Sequence, residues 1–356
     1  MNRRLNFILY NLIIFILFLN RYLGLHKIEE YQILCKLSFG VCFIIYILRN
    51  YKTMKKKELN LVGISLFLAI VFREYYICAL IIILSKNISK ENRLKILLFW
   101  SIVFFCGNVL LDRFNFLEIA TYTKRKYGDK IISRYLLGFT NPNMPFMMVL
   151  PILFIIYYIS DTKKFLSKIK VGILILILSY VIFRLTYSRT GFILSLIFIL
   201  LILLKDKYIK KIKFFIQGEI IVLALITILY SEKLKNTIFN QILSTRPHLY
   251  DYYLKNIPVS FFSWKGEEAI ITGLPLDNEY LRLLFGYGIF GLILGVIIIL
   301  YIFKILFEKN DYKAVRILMI ILIYGYMEGT VLSVGINILY FIIFEYVIDK
   351  YRGRVV

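Results

Sequence analysis

Three arginines, Arg134, Arg189 and Arg246, stand in short polar stretches that interrupt long apolar runs: "RYLLGFTNPN" (134–143), "TYSRTG" (186–191) and "STRPHLYDYYL" (244–254). A guanidinium is a planar fork that matches phosphate oxygens two at a time, and an ionisable group near membrane depth is costly enough to be a functional candidate. A fourth stretch, "PLDNEYLRLLFGYG" (275–288), places Asp277, Asn278 and Glu279 immediately ahead of an apolar run. Such carboxylates either cap a helix start or act as a general base toward an incoming hydroxyl. His248, one of two histidines, is the rival base two residues after Arg246, and Glu328 is a third candidate. Asn141 precedes Pro142 and is biased away from helix, which leaves Asn143 to cap the helix that follows; a helix start there also favours anions. These residue types imply a phosphate ligand beside the membrane, and a lipid-linked diphosphate already lies at that depth. Each arginine also has a plainer role open to it, as a structural ion-pair partner or, for Arg189, as a snorkelling anchor to lipid headgroups.

The elements that must position these residues are apolar helices. The chain has 356 residues, of which 60% are hydrophobic, and its mean hydropathy of +0.75 goes with an apolar content above the ~45–50% of soluble domains. About twelve apolar runs emerge, at roughly 5–20, 31–48, 59–72, 75–85, 96–111, 144–159, 171–187, 191–204, 214–230, 280–303, 316–327 and 331–347. The short pairs 59–85 and 316–347 read either as thin spans or as re-entrant hairpins, so the expectation is an all-α, polytopic integral membrane bundle of 10–12 transmembrane helices in one domain, 1–356. The formal net charge is +23, yet the basic residues lie between apolar runs and along no single face, which argues against nucleic acid as a partner. More than half of the 45 Lys and Arg fall in the segments that face one side, in short loops such as "RNYKTMKKKE" and "KDKYIKKIK". The positive-inside bias then places both termini in the cytoplasm and two long loops, 112–143 and 231–279, outside. The N-terminal run is expected to be an uncleaved first span, because no small-residue cleavage site follows it. Cys35, Cys42, Cys78 and Cys106 all sit in apolar segments without CxxC spacing, which reads as core packing, with no disulfide framework or zinc site. No GxxxxGK[ST], HExxH or DxD stretch is present, and the GxGxxG match at 286–291 lies inside an apolar run, so no nucleotide cofactor or metal is expected.

The order "R…LGFTNPN", "TYSRTG", "RPHLYDYYL", "LDNEYLRLLFGYGIFG" resembles the O-antigen polymerase and O-antigen ligase family, in particular the Wzy-type polymerases of capsule and exopolysaccharide clusters. The resemblance covers roughly residues 90–300. It implies a metal-independent, inverting glycosyltransferase in the bacterial inner (plasma) membrane, acting at its outer face. The donor and acceptor would be undecaprenyl-diphosphate-linked glycans, with a chain-length regulator and a flippase as pathway partners. By the same resemblance Arg134, Arg189 and Arg246 hold the diphosphate; the residues themselves add Asn143 and Asn278 as substrate-binding candidates and, with Arg189, either Asp277 or His248 as catalytic candidates. Tyr250, Tyr252, Tyr253 and Trp264 would then stack on sugar rings, or else anchor at the membrane interface. The ligase branch carries a histidine ahead of the span beginning "YL", where this chain reads "LDNEYL", which favours the polymerase branch. A ligase-type glycan transferase and a lipid-linked oligosaccharide flippase are the alternatives; a flippase would show related halves and charges deep in several helices.

Overall fold

The computed structural model describes residues 2–25, 29–50, 88–117, 121–127, 130–238, 246–263 and 276–329, with isolated positions between them. The elements are α1 (Asn2–Leu25), α2 (Glu29–Asn50), α3 (Lys90–Arg113), β1 (Tyr122–Tyr127), β2 (Lys130–Tyr135), α4 (Met144–Ile159), α5 (Phe165–Thr186), α6 (Arg189–Leu203), α7 (Asp206–Lys211), α8 (Lys213–Leu234), α9 (Arg246–Asn256), α10 (Glu279–Glu308) and α11 (Tyr312–Met327). Five helices among the described residues are long and apolar enough to cross a membrane: Ile33–Asn50 and the whole of α3, α5, α8 and α10. Arg4–Asn20, α4 and α6 are shorter apolar helices. The chain is a helical, multi-pass membrane protein; the expected count of about twelve spans is not reproduced. The runs expected at 59–72, 75–85 and 331–347, with Cys78, Trp264 and most of "WKGEEAIITG", lie almost wholly outside the described residues.

The spans wear their apolar side outward. On α5 the buried stripe is Gly172, Ile175, Ser179, Ile182 and Thr186, whereas Ile173, Leu174, Ile177 and Val181 are exposed. On α8 the buried stripe runs Ile216, Ile220, Ala224, Thr227 and Ser231, and Ile221, Val222, Leu225 and Leu229 face out. Small and hydroxyl residues at the contact with branched aliphatics outside is the arrangement lipid demands, because tails cover apolar surface at no cost while close helix approach needs small side chains. Three of these buried hydroxyls are satisfied within their own helices, Thr186 donating to the Ile182 carbonyl (2.8 Å), Thr227 to Leu223 (2.8 Å) and Ser231 to Thr227, whereas Ser179 Oγ is buried without a hydrogen-bond partner.

The chain divides into two compact units, Met1–Phe192 with Val334–Val356, and Ile193–Ser333. In the first, α1 packs on α2 and α3, and α4 lies between α3 and α5. The buried amides of Asn6 and Asn50 pair at 3.4 and 3.5 Å, fixing α1 against α2, and the Trp100 indole donates to Asn11 at 2.5 Å, fixing α1 against α3. The Lys90 ammonium sits 4.8 Å from each of the Tyr158 and Tyr346 ring centres. In the second unit α8 is flanked by α9, α10 and α11. Arg316 of α11, 1% exposed, closes the end of α6: it donates to the carbonyls of Leu201 (2.7 Å) and Leu204 (2.7 Å), to its own helix at Tyr312 (3.1 Å) and to Asp206 (2.7 Å). The orphan carbonyls of a helix C-terminus are thereby satisfied by one cation.

The two segments expected as long loops are more ordered than that. The 112–143 segment holds an antiparallel hairpin, with Tyr122 opposite Tyr135 and Thr123 opposite Arg134. The 231–279 segment begins with the last turn of α8 and contains α9.

Candidate functional site

In the first unit Arg134 is where three segments meet. It lies near the end of β2, 7% exposed; its Nε donates to the Thr186 carbonyl (2.9 Å), the last residue of α5, and its Nη2 to Asn143 Oδ1 (2.9 Å), at the head of α4. This changes the expected role of Asn143. It occupies the cap position of α4 but makes no side-chain capping bond, because its oxygen is committed to the guanidinium. Asn141 Oδ1 instead receives the Asn143 N–H (2.9 Å).

The "LLGF" part of the same stretch is a tight turn: the Phe139 N–H reaches the Leu136 carbonyl (3.0 Å), with φ of 53° at Leu137 and 78° at Gly138. The end of α3 holds it, through Asn108 Nδ2 on the Leu137 carbonyl (3.0 Å) and the Gly138 N–H on the Asp112 carboxylate. A Cβ on Gly138 would lie 2.7 Å from Asn108, so glycine is required by both conformation and space.

Arg189 opens α6 after a turn in which Tyr187 takes the left-handed conformation (φ 53°). It is half-buried, and Arg184, one turn back on α5, is exposed. Gly191 explains the "SRTG" sequence, since a Cβ there would meet the Phe146 ring of α4 at 2.3 Å. The first unit thus brings Arg134 and Asn143 into direct contact, and ties both to the turn that presents Arg189.

The second unit contains a denser polar cluster. Arg246 and Glu328, each with 6% of its side chain exposed, form an ion pair through Nη2 and Oε1, and the same Nη2 lies 3.4 Å from Asp277 Oδ2. Arg246 Nε is buried without a hydrogen-bond partner. Burial opposes the Arg246 charge, but Glu328 chiefly, with Tyr250 and Asp277, more than offsets it and holds the guanidinium above its usual value. Asp277 keeps a third of its side-chain surface open. Burial pushes its carboxyl above the usual aspartate range, against the opposing pull of Arg246 and Arg282. Arg282 Nη1 in turn donates to the Gly329 carbonyl (3.0 Å).

The cluster is held in place from below. Asn278, fully buried, caps α10 by accepting the Leu281 N–H (3.0 Å) and donates to the Tyr326 carbonyl (3.0 Å) and Thr227 Oγ1 (3.3 Å). Its amide is committed at both ends, so Asn278 is a positioning residue in this arrangement. Thr227 lies seven residues before the end of α8, which at 1.5 Å per residue sinks the head of α10 by roughly 10 Å relative to that end. The Tyr250 hydroxyl reaches the carbonyls of Asp277 (2.9 Å) and Tyr326 (2.8 Å), and the Tyr253 hydroxyl that of Leu274 (2.7 Å). Both tyrosines are fully buried, which leaves neither ring open for the stacking expected of it, whereas Tyr252 is 42% exposed. His248 is exposed and lies on the opposite side of α9 from the buried Arg246, Tyr250 and Tyr253; the structure leaves it out of the cluster.

α9 is fastened to α8 by Lys235 with Asp251 (2.5 Å) and by Lys255 with Glu232 (2.5 Å), while Lys255 also pairs with Asp251 within α9 (3.2 Å). Burial raises the Asp251 carboxyl, but the two lysines outweigh it and leave it below the usual range. Behind the cluster, α10 breaks at Gly288 (φ 79°), where the Ile289 and Phe290 N–H groups donate to Ser260 and Phe261 carbonyls at 3.0 Å. Those carbonyls take the amides that the broken turn releases, and a Cβ at Gly288 would meet Phe261 O at 2.5 Å.

Chemically the second unit can hold an anion at a preformed guanidinium and take a proton at a partly open carboxyl. The sequence reading named Arg246, Asp277 and Asn278 and, as a lesser candidate, Glu328; it missed Arg282, whose only signal was its place one turn into the apolar run after "LDN". No family model, curated protein or solved structure matches this chain.

Proposed function

We propose that the chain is a membrane-embedded inverting glycosyltransferase that polymerises undecaprenyl-diphosphate-linked repeat units at the outer face of the bacterial inner membrane. The observation that carries this reading is the second unit's pairing of Arg246 with Asp277: a buried cation beside a carboxyl that is both partly open and shifted upward. An acceptor hydroxyl attacks the anomeric carbon of the donor from the face opposite the diphosphate, and its proton passes to Asp277. The anomeric C–O bond breaks with its electron pair leaving on the diphosphate, whose growing charge Arg246 meets in a low-dielectric setting. Glu328 holds Arg246 in place between turnovers. Arg189, presented by the turn that Arg134 and Asn143 brace, is a phosphate-binding group of the first unit. The sugar hydroxyl needs only modest base assistance, which a carboxylate can give.

The test is purified chain in proteoliposomes with lipid-linked repeat units, read as glycan length. A ladder of products that disappears in the D277N and R246K variants is expected. Translocation of the labelled lipid-linked unit without any ladder would replace the polymerase with a flippase, and transfer of finished glycan to a different acceptor would replace it with a ligase.

A further inference from the structure

The membrane-crossing helix α8 carries a carboxyl that the proposed reaction does not use. Both oxygens of Glu219 are buried, and neither has a hydrogen-bond partner. Glu219 lies six residues into α8, next to the buried Ile216 and Ile220 and two turns before Thr227, at which Asn278 joins the cluster described above. α9, α10 and α11 pack against α8, and none of their charged groups hydrogen-bonds to Glu219. On α9, Asp251 and Lys255 are paired near the far end of α8 and Arg246 is paired with Glu328. On α10, Arg282 is bound to Gly329, and Lys304 and Glu308 are exposed. On α11, Arg316 is spent on Asp206 and helix carbonyls, and Lys313 stands at the first turn. Tyr280 of α10 is within electrostatic range of Glu219 and of Glu279, but its hydroxyl donates to the Leu322 carbonyl (3.0 Å).

An ionised carboxylate sealed from water with no donor is so unfavourable that such a group takes up a proton instead. We propose that Glu219 is a proton-binding site: a neutral carboxylic acid in the membrane-crossing part of the second unit at neutral pH. The site goes beyond the glycosyl transfer proposed above and does not depend on it.

A lipid-soluble carbodiimide reads this state, because the acid adds across one C=N bond: the carboxyl oxygen bonds to the central carbon, its proton moves to nitrogen, and an O-to-N acyl shift leaves a stable N-acylurea. The full chain in lipid nanodiscs is treated with dicyclohexylcarbodiimide and mapped by peptide mass spectrometry. Labelling is expected at Glu219, changing less than about 2-fold between pH 6 and 7.5. An ordinary glutamate, with a pKa of ~4.3, loses about 30-fold in protonated fraction over that interval, so exposed Glu232 and Glu91 should stay unlabelled. Because reagent access could fail, infrared difference spectra of wild type against E219Q supply the second measurement: a protonated-carboxyl band present at pH 7.5 and missing in the variant is expected. Absence of that band, or a lower melting temperature for E219Q than for wild type at pH 7.5, would show an ionised and paired Glu219 and overturn the proposal.

Discussion

Removing the carboxylate of Glu328 should destabilise the second unit, and removing Arg246 with it should restore stability without restoring activity. Both side chains are 6% exposed, so the pair sits in the regime where losing one partner costs about 3–5 kcal/mol and replacing both with apolar groups of similar size is close to neutral. In Glu328→Leu the guanidinium keeps Asp277, but at 3.4 Å and on a nitrogen already shared, while Nε stays without a partner. The lower end of that range, about 3 kcal/mol, is therefore expected, roughly a 150-fold shift in the folded population. Arg246→Met should cost less, because the bare Glu328 can neutralise itself by taking a proton. The double variant should fall within about 1 kcal/mol of wild type, a coupling of at least ~2 kcal/mol, measured by denaturant titration of all four chains in the same lipid environment. Additive losses, within about 0.5 kcal/mol, would refute the buried-pair reasoning. The double variant also separates folding from chemistry: it should be folded and make no polymer, and polymer from it would remove Arg246 from the proposed reaction.

Asp277 has a raised carboxyl, so its protonated form is favoured by folding; that stabilisation is complete below the ordinary aspartate pKa of ~3.9 and fades as pH rises through the shifted value. Transfer needs the ionised form, so the acidic limb of kcat/KM should lie above ~3.9, persist in D277E, and vanish in D277N with a loss of about 100-fold or more. Gly138→Ala forces a side chain into φ 78° and to within 2.7 Å of Asn108; a loss of about 2 kcal/mol in thermal stability is expected, and an unchanged melting temperature would mean the turn is not fixed as described. Arg316→Ala strands the Leu201 and Leu204 carbonyls, at about 2–4 kcal/mol, and Arg316→Lys should recover little, since a point ammonium cannot span both acceptors. Arg189→Lys should cut polymer length sharply at normal protein level if the planar fork binds phosphate, whereas full-length glycan from it would make Arg189 a headgroup anchor.

The apolar helices were legible because each is a run long enough to be seen alone, and the starts of α4 and α10 follow the Pro and Asn signals at Pro142 to Pro145 and at Asn278. Their ends were read short, as at α3 and α5, because polar residues such as Lys90, Arg113 and Lys168 extend the helices past the apolar stretch that marks them. The hairpin had a signal that was passed over: Gly128 and Asp129 separate two strands rich in Tyr, Thr and Ile, a turn dipeptide between β-formers. Asn143 and Asn278 exchanged expectations for a different reason. An asparagine at a helix head caps it only when nothing stronger claims its oxygen, and Arg134 does so for Asn143 but not for Asn278.

The cluster around Arg246 was legible only in part, for reasons of distance along the chain. Its partners Asp277 and Glu328 lie 31 and 82 residues away, and no local spacing reports a pairing of that range. What the sequence did contain was the helix α9 itself. Positions 246, 250 and 253 recur at one face of a 3.6-residue period and are all buried, while residue 248 is rotated by about 200° from 246. Once that segment is taken as a helix and not a loop, His248 cannot share a site with Arg246 on α9's buried face. In the proposed transfer the base then comes from another element, which leaves the carboxylates of Asp277 and Glu328; of these, Asp277 combines an open edge with an upward-shifted carboxyl.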